Sequence, residues 1–341
     1  MKKLLRLTAL LWWIPATGLA ADESLQGKLV EHVLVTASKN QPALAVLAGN
    51  TLYYAEGRNL DSTRAEDCPA VDLYRYDLKE KQETRIAEVP CVLNLLTNGQ
   101  AAYVVTRDAN GALSVSRTID GKPLQAAPAG FEAKLKARVA FKRSAMQLPR
   151  GGPLELINFL IRQGEVNAVF KTETHLFLDA VPFDQPSKQS VLPIALKGFS
   201  GTSLALSDNQ HLFSFTEGNE GWPRVVETKP DGTSTVLGHQ RPLPKNWSTA
   251  GPLDWAVRTP RFLVGMADGF LVADRTPEAF TEATAVSIYS STANKFFRID
   301  VPDQDVGGLS YALGGVLVSK PMLGSIVWYG KQIPSSFEVK K

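Results

Sequence analysis

Residues 72–89 read DLYRYDLKEKQETRIAEV. In Asp72–Asp77 polar and apolar residues alternate, the period-two signal of a strand with one buried face. Lys79–Gln82 turns the chain and Thr84–Val89 returns, so the stretch is a hairpin. Working outward, the same unit recurs. Leu44–Leu47 and Thr51–Ala55 flank Gly49-Asn50, and Ala101–Thr106 and Ala112–Thr118 flank Asp108-Ala109-Asn110-Gly111. Ser203–Leu206 leads through Ser207-Asp208-Asn209 to His211–Thr216, and Arg224–Thr228 leads through Pro230-Asp231-Gly232 to Thr233–Leu237. Asn-Gly and Asp-Gly steps between β-rich runs mark tight hairpins, because these residues accept the positive φ such turns require.

A meander of short strands at roughly 40–50 residues per four-strand unit points to a β-propeller. About 321 residues remain once a leader at 1–20 is set aside, room for about six or seven irregular four-stranded blades. The expected fold is therefore all-β. Two β-sandwich-like domains are the alternative. LYRYDLKEKQETRIAEV at 73–89 and WPRVVETKPDGTSTVLG at 222–238 resemble the outer strand pairs of secreted propellers of the TolB or YncE-like kind. That resemblance is architectural and implies the fold. One helix is expected within the strands: after Pro153, the run LELINFLIRQ places Leu154, Ile157, Leu160 and Ile161 on one face and meets Gly164 as a stop. With the basic stretch before it, it would form an insertion at about 131–164 in a propeller covering 21–341.

Residues 1–21, MKKLLRLTALLWWIPATGLAA, put Lys2, Lys3 and Arg6 before an apolar Ala9–Ile14, then Pro15, Gly18 and small Ala20. This is the pattern of a cleavable export signal and predicts a periplasmic protein, with no stable membrane insertion after cleavage. The chain has 37 basic and 34 acidic residues. Lys2, Lys3 and Arg6 account for the whole excess, so the exported part is formally neutral and no general case for nucleic-acid binding stands. The two cysteines, Cys68 and Cys91, are expected to form a disulfide in an oxidising compartment.

No local motif carries a reaction. Gly198-Phe199-Ser200-Gly201-Thr202 lacks the second glycine of a nucleophile elbow. His32, His175, His211 and His239 show no metal-ligand spacing, and His211 reads as a strand residue. There is no phosphate loop, dinucleotide fingerprint or haem motif, so no catalytic residue, metal ligand or cofactor is assigned. A calcium ion near Asp303 and Asp305 is the one exception kept open, although the spacing of an EF-hand is absent.

Two stretches suggest a surface. Lys134, Lys136, Arg138, Lys142 and Arg143 crowd a segment whose single acid is Glu132, a candidate docking patch for an acidic partner. Residues 238–261 hold four prolines with Trp247 and Trp255, a stiffened loop of the kind that carries function. Trp222, Arg241 and Lys245 join these tryptophans as candidate partner-binding residues, because Trp and Arg dominate interface hot spots. The expectation is a non-enzymatic periplasmic propeller that binds another protein, such as an immunity protein neutralising a toxin or effector. The alternatives are a hydrolase or lyase of envelope glycans, with acids and bases converging at one mouth of the ring, and an envelope assembly scaffold.

Overall fold

A computed structural model describes residues 29–36, 42–56, 70–118, 124–148, 152–183, 191–196, 204–217, 223–237, 263–266, 268–275, 283–292, 295–299, 306–321 and 323–337. They form six antiparallel four-stranded sheets, with strands in order from the ring axis outward. Blade 1 contains β2 (Pro42–Ala48), β3 (Thr51–Glu56), β4 (Val71–Asp77) and β5 (Gln82–Val89). Blade 2 contains β6 (Val92–Thr97), β7 (Ala102–Arg107), β8 (Leu113–Thr118) and the short β9 (Gln125–Ala126). Blade 3 is β10 (Glu155–Arg162), β11 (Glu165–Lys171), β12 (His175–Ala180) and β13 (Leu192–Ala195). Blade 4 is β14 (Leu204–Leu206), β15 (Leu212–Glu217), β16 (Pro223–Thr228) and β17 (Ser234–Leu237). Blade 5 is β18 (Leu263–Met266), β19 (Gly269–Arg275), β20 (Ala283–Ser290) and β21 (Lys295–Ile299). Blade 6 is β22 (Gly308–Ala312), β23 (Gly315–Lys320) and β24 (Ser325–Gly330), and its outer strand is β1 (Val30–Val35) from the other end of the chain. First strands of successive blades neighbour one another around a closed ring, with β22 beside β2. The fold is a six-bladed β-propeller, which decides the expected six or seven blades and excludes two sandwiches.

First strands are covered on both faces by adjacent blades, and their composition follows. β2 reads PALAVLA and is buried along its whole length. The seam between the last blade and the first has no sheet pairing. Ser310 Oγ donates to the Ala45 carbonyl at 2.8 Å, and Ser319 Oγ donates to that of Ala43. Gly308 permits this approach, since a Cβ there would collide with the Ala43 carbonyl. On the outside the ring is closed by β1 lying antiparallel on β24, from Val30 opposite Gly330 to Val35 opposite Ile326. Trp328 anchors the closing blade: it is buried, its Nε1 donates to the Ala312 carbonyl at 2.9 Å, and the Phe337 ring meets it edge-on.

The helix expected after Pro153 is a strand. Residues 155–162 form β10, and Gln163-Gly164, both at positive φ, make the two-residue turn into β11 rather than a helix stop. Phe159 packs toward blade 2 while Leu160 packs toward blade 4; a run buried on both faces imitates helical spacing. The one α-helix among the described residues, α1 (Phe131–Ala145), lies instead on the basic stretch. Leu135 and Val139 bury its inner face in the wedge between blades 2 and 3.

Candidate functional site

In an up-and-down blade the turns joining first to second and third to fourth strands open on one rim of the ring. On that rim, blades 4 and 5 bring together a set of acid–base groups. His211 sits just before β15, its backbone held by hydrogen bonds with Ser207 across the turn. Glu227 lies opposite Phe213 in the β15–β16 register, so it shares a sheet face with Phe213 and with His211, two residues back. That face packs on Phe270 and Tyr289 of blade 5, with the Phe213 and Phe270 ring centres 4.8 Å apart. His211 Nδ1 is 2.8 Å from Glu227 Oε1, and Ser291, in the β20–β21 turn, donates its hydroxyl to the same oxygen at 2.7 Å. Asp268, in the β18–β19 turn, accepts from Ser290 Oγ, Thr292 Oγ1 and the Thr292 amide, locking the two turns of blade 5 together. Burial pushes the Tyr289 phenol up to about 12, with Glu227 and Asp268 adding to the rise, so the phenol stays protonated at neutral pH.

The geometry assigns roles. His211 Nδ1 faces the Glu227 oxygen, which leaves Nε2 as the ring nitrogen turned away from the carboxylate. Glu227 is 7% exposed and His211 19%: the carboxylate is buried, while the imidazole keeps partial access to solvent. The Ser291 proton is directed at Glu227 rather than at the histidine, so this is not a serine nucleophile with its base. A carboxylate-oriented histidine open to solvent is suited to taking a proton from water.

A second polar cluster lies in the wedge under α1. Asp179 on β12 is fully buried and pairs with Arg138 of α1 at 3.0 Å. Burial pushes its carboxyl up to about 6, although Arg138, the Ala180 amide and Arg162 all pull the other way. The same burial lowers the Arg162 guanidinium, against the pull of Asp179.

Of the residues singled out by sequence, Lys134, Lys136, Arg138, Lys142 and Arg143 share α1. Arg138 is a structural tether to Asp179, Lys136 pairs with Glu132 at 2.7 Å, and Arg143 lies close enough to His175 to help lower its imidazole below burial alone. Trp222, Arg241, Lys245, Trp247, Trp255, Asp303 and Asp305 lie outside the described residues, as does Cys68. Cys91 is buried, and no free cysteine occurs among the described residues. No group of three or more His, Cys, Asp or Glu side chains fit to hold a metal is found among the described residues either. Nothing local in the sequence marks Glu227, Ser291 or Tyr289, and His211, expected within a strand, immediately precedes β15. The missed signal was the hairpin register: once β15 pairs with β16 across Phe213 and Glu227, His211 and Glu227 fall on one face.

No protein-family model matches the sequence, and no curated protein does. Solved structures resemble it in fold. The calcium-binding protein regucalcin of Agrobacterium tumefaciens shares 14% identity over 89% of this chain and 95% of its own, with a TM-score of 0.46. The periplasmic gluconolactonase of Pseudomonas aeruginosa shares 15% over 88% and 84%, with a TM-score of 0.38. The β-propeller domain of the Trilobed protease of Pyrococcus furiosus shares 9% over 81% and 78%, with a TM-score of 0.39. These are propellers of the lactonase and protease kinds, so the TolB or YncE-like resemblance holds only at the level of the propeller. The expectation of a non-enzymatic immunity protein is corrected as well: the neighbouring propellers are named for lactone hydrolysis and calcium binding, and the rim of this one carries acid–base groups. Their likeness to this chain is one of fold.

Proposed function

We propose that this chain is an exported hydrolase acting on a neutral, sugar-derived substrate of the cell envelope, with Glu227 and His211 as its general-base pair. The observation that carries the reading is the 2.8 Å contact between His211 Nδ1 and a buried Glu227 oxygen. Glu227 fixes the tautomer and stabilises the imidazolium that forms as Nε2 takes a proton from water. The hydroxide so formed attacks the electrophilic carbon of the bound substrate, the bond from that carbon to the leaving oxygen breaks, and the leaving oxygen takes the proton back from Nε2. Tyr289 stays a neutral donor beside the carboxylates. Ser207, Asn209, Ser291 and Thr292 stand in the turns that carry the pair, and hydroxyl and amide groups suit a polyhydroxylated molecule better than a charged one.

Export belongs to the same proposal and is supported by Lys2, Lys3 and Arg6 ahead of the apolar Ala9–Ile14. A bridge between Cys68 and Cys91 belongs there too, supported by the absence of a free thiol at Cys91. The test is a screen of the purified protein on sugar lactones, aryl esters and peptidoglycan fragments. Turnover should fall about 100-fold or more in His211→Gln and in Glu227→Gln, the contribution expected of a positioned base, with thermal unfolding little changed. Absence of turnover on every substrate, or full turnover in both variants, overturns the proposal.

A further inference from the structure

The outer face of α1 has an unusual makeup for a water-facing surface. Ala133, Ala137, Ala140, Phe141, Ala145 and Met146 are all exposed, and the Phe141 side chain is 77% exposed. At 100° per residue, Ala133, Ala137, Ala140 and Phe141 fall together, opposite the buried Leu135 and Val139. Lys134 borders this strip on one flank and Lys136 and Arg143 on the other, while Arg138 and Lys142 lie farther round toward the buried face. The helix carries one acid, Glu132, already paired with Lys136.

We infer that α1 is a docking face for an anionic lipid surface, on which the helix lies flat with Phe141 entering between headgroups. Charge complementarity selects the occupant. A strip of alanines with one projecting ring has almost no hydrogen-bonding groups, so it lacks the polar features by which a protein partner is specified. A plane of negative headgroups needs no such features: it is attracted by the cationic borders and accepts a shallow aromatic ring. Arg138 acts from below, since its ion pair with the buried Asp179 fixes the helix to the wedge and so holds Phe141 outward. The inference stands apart from the hydrolase reading, because the blade 4–5 rim contributes nothing to it.

Vesicles provide the test. The protein is sedimented with vesicles of phosphatidylcholine alone and with vesicles containing roughly a third phosphatidylglycerol. Binding should be at least fivefold stronger to the anionic vesicles, and should fall steeply when salt is raised from about 0.05 to 0.5 M, where the Debye length shrinks below the reach of the lysines. Phe141→Ser and the double variant Lys134→Glu/Lys136→Glu should each lose that preference. Both alter exposed or partly exposed side chains, and unchanged thermal unfolding confirms that they fold. Equal binding to the two vesicle types, no binding to either, or binding unaffected by both variants overturns the inference, as does saturable capture of an acidic protein that displaces the vesicles.

Discussion

Replacing Asp179 with asparagine should stabilise this protein at neutral pH, even though it breaks an ion pair. Asp179 is fully buried in the blade 2–3 wedge, and its carboxyl is raised from 3.8 to about 6. At ~1.4 kcal/mol per pH unit, that makes the proton on Asp179 worth about 3 kcal/mol to the fold. The sign follows from the direction of the shift. A raised carboxyl binds its proton more tightly in the folded state, so its contribution is fully present below about pH 4 and is lost as pH rises through 6. The attraction of Arg138 is already contained in this balance and is outweighed by burial. Arg138 is 39% exposed, so it brings solvent to the wedge and softens the loss, and we expect a gain of about 1–2 kcal/mol for Asp179→Asn at pH 7.5. Urea unfolding of both proteins at pH 7.5, 6.0 and 4.5 measures it: the gap should be widest at 7.5, only slightly smaller at 6.0 and reduced to about a third at 4.5. A variant less stable than the parent at pH 7.5, by an amount that does not change with pH, would refute the reasoning and make the Arg138–Asp179 pair net stabilising.

Other outcomes follow from the ring seam and its anchors. Gly308→Ala should cost about 1–3 kcal/mol, the range for overpacking, read as a lower urea midpoint, because the new methyl meets the Ala43 carbonyl. Trp328→Phe should cost about 2 kcal/mol or more, since it removes the donor to Ala312 and part of a buried ring; an unchanged midpoint would show that the closing blade repacks freely. Under the proposed Cys68–Cys91 bridge, reductant should lower the thermal midpoint by the equivalent of about 3 kcal/mol, and an unaltered midpoint removes the bridge from the account.

The hairpins were readable because the outer strands of a propeller alternate: Asp72–Asp77 and Thr84–Val89 fall within β4 and β5. First strands do not alternate, since both of their faces are covered, and the apolar spacing of Leu154–Ile161 fits a helix as readily as a strand. The true helix was hidden for the opposite reason. FEAKLKARVAFKRSA buries little beyond Leu135 and Val139, so no broad apolar stripe announces it, although Ala, Lys, Arg and Leu favour a helix by propensity. The rim site was out of reach because His211, Glu227 and Ser291 meet only through strand register and the packing of one blade on the next. Neither is a local property of the chain.

The pairing of β1 with β24 joins residues 30 and 330, and this imposes an order of events in time. β1 leaves the ribosome long before β24, so its partner does not exist until the other strands of all six blades have been made. Until then both β1 and the growing ring expose unpaired edges, which other chains can join. The final step brings together residues 30 and 330, a slow event of high contact order. A ring closed in this way is proofread by its own completeness: a chain cut short before β24 leaves β1 with nothing to bind.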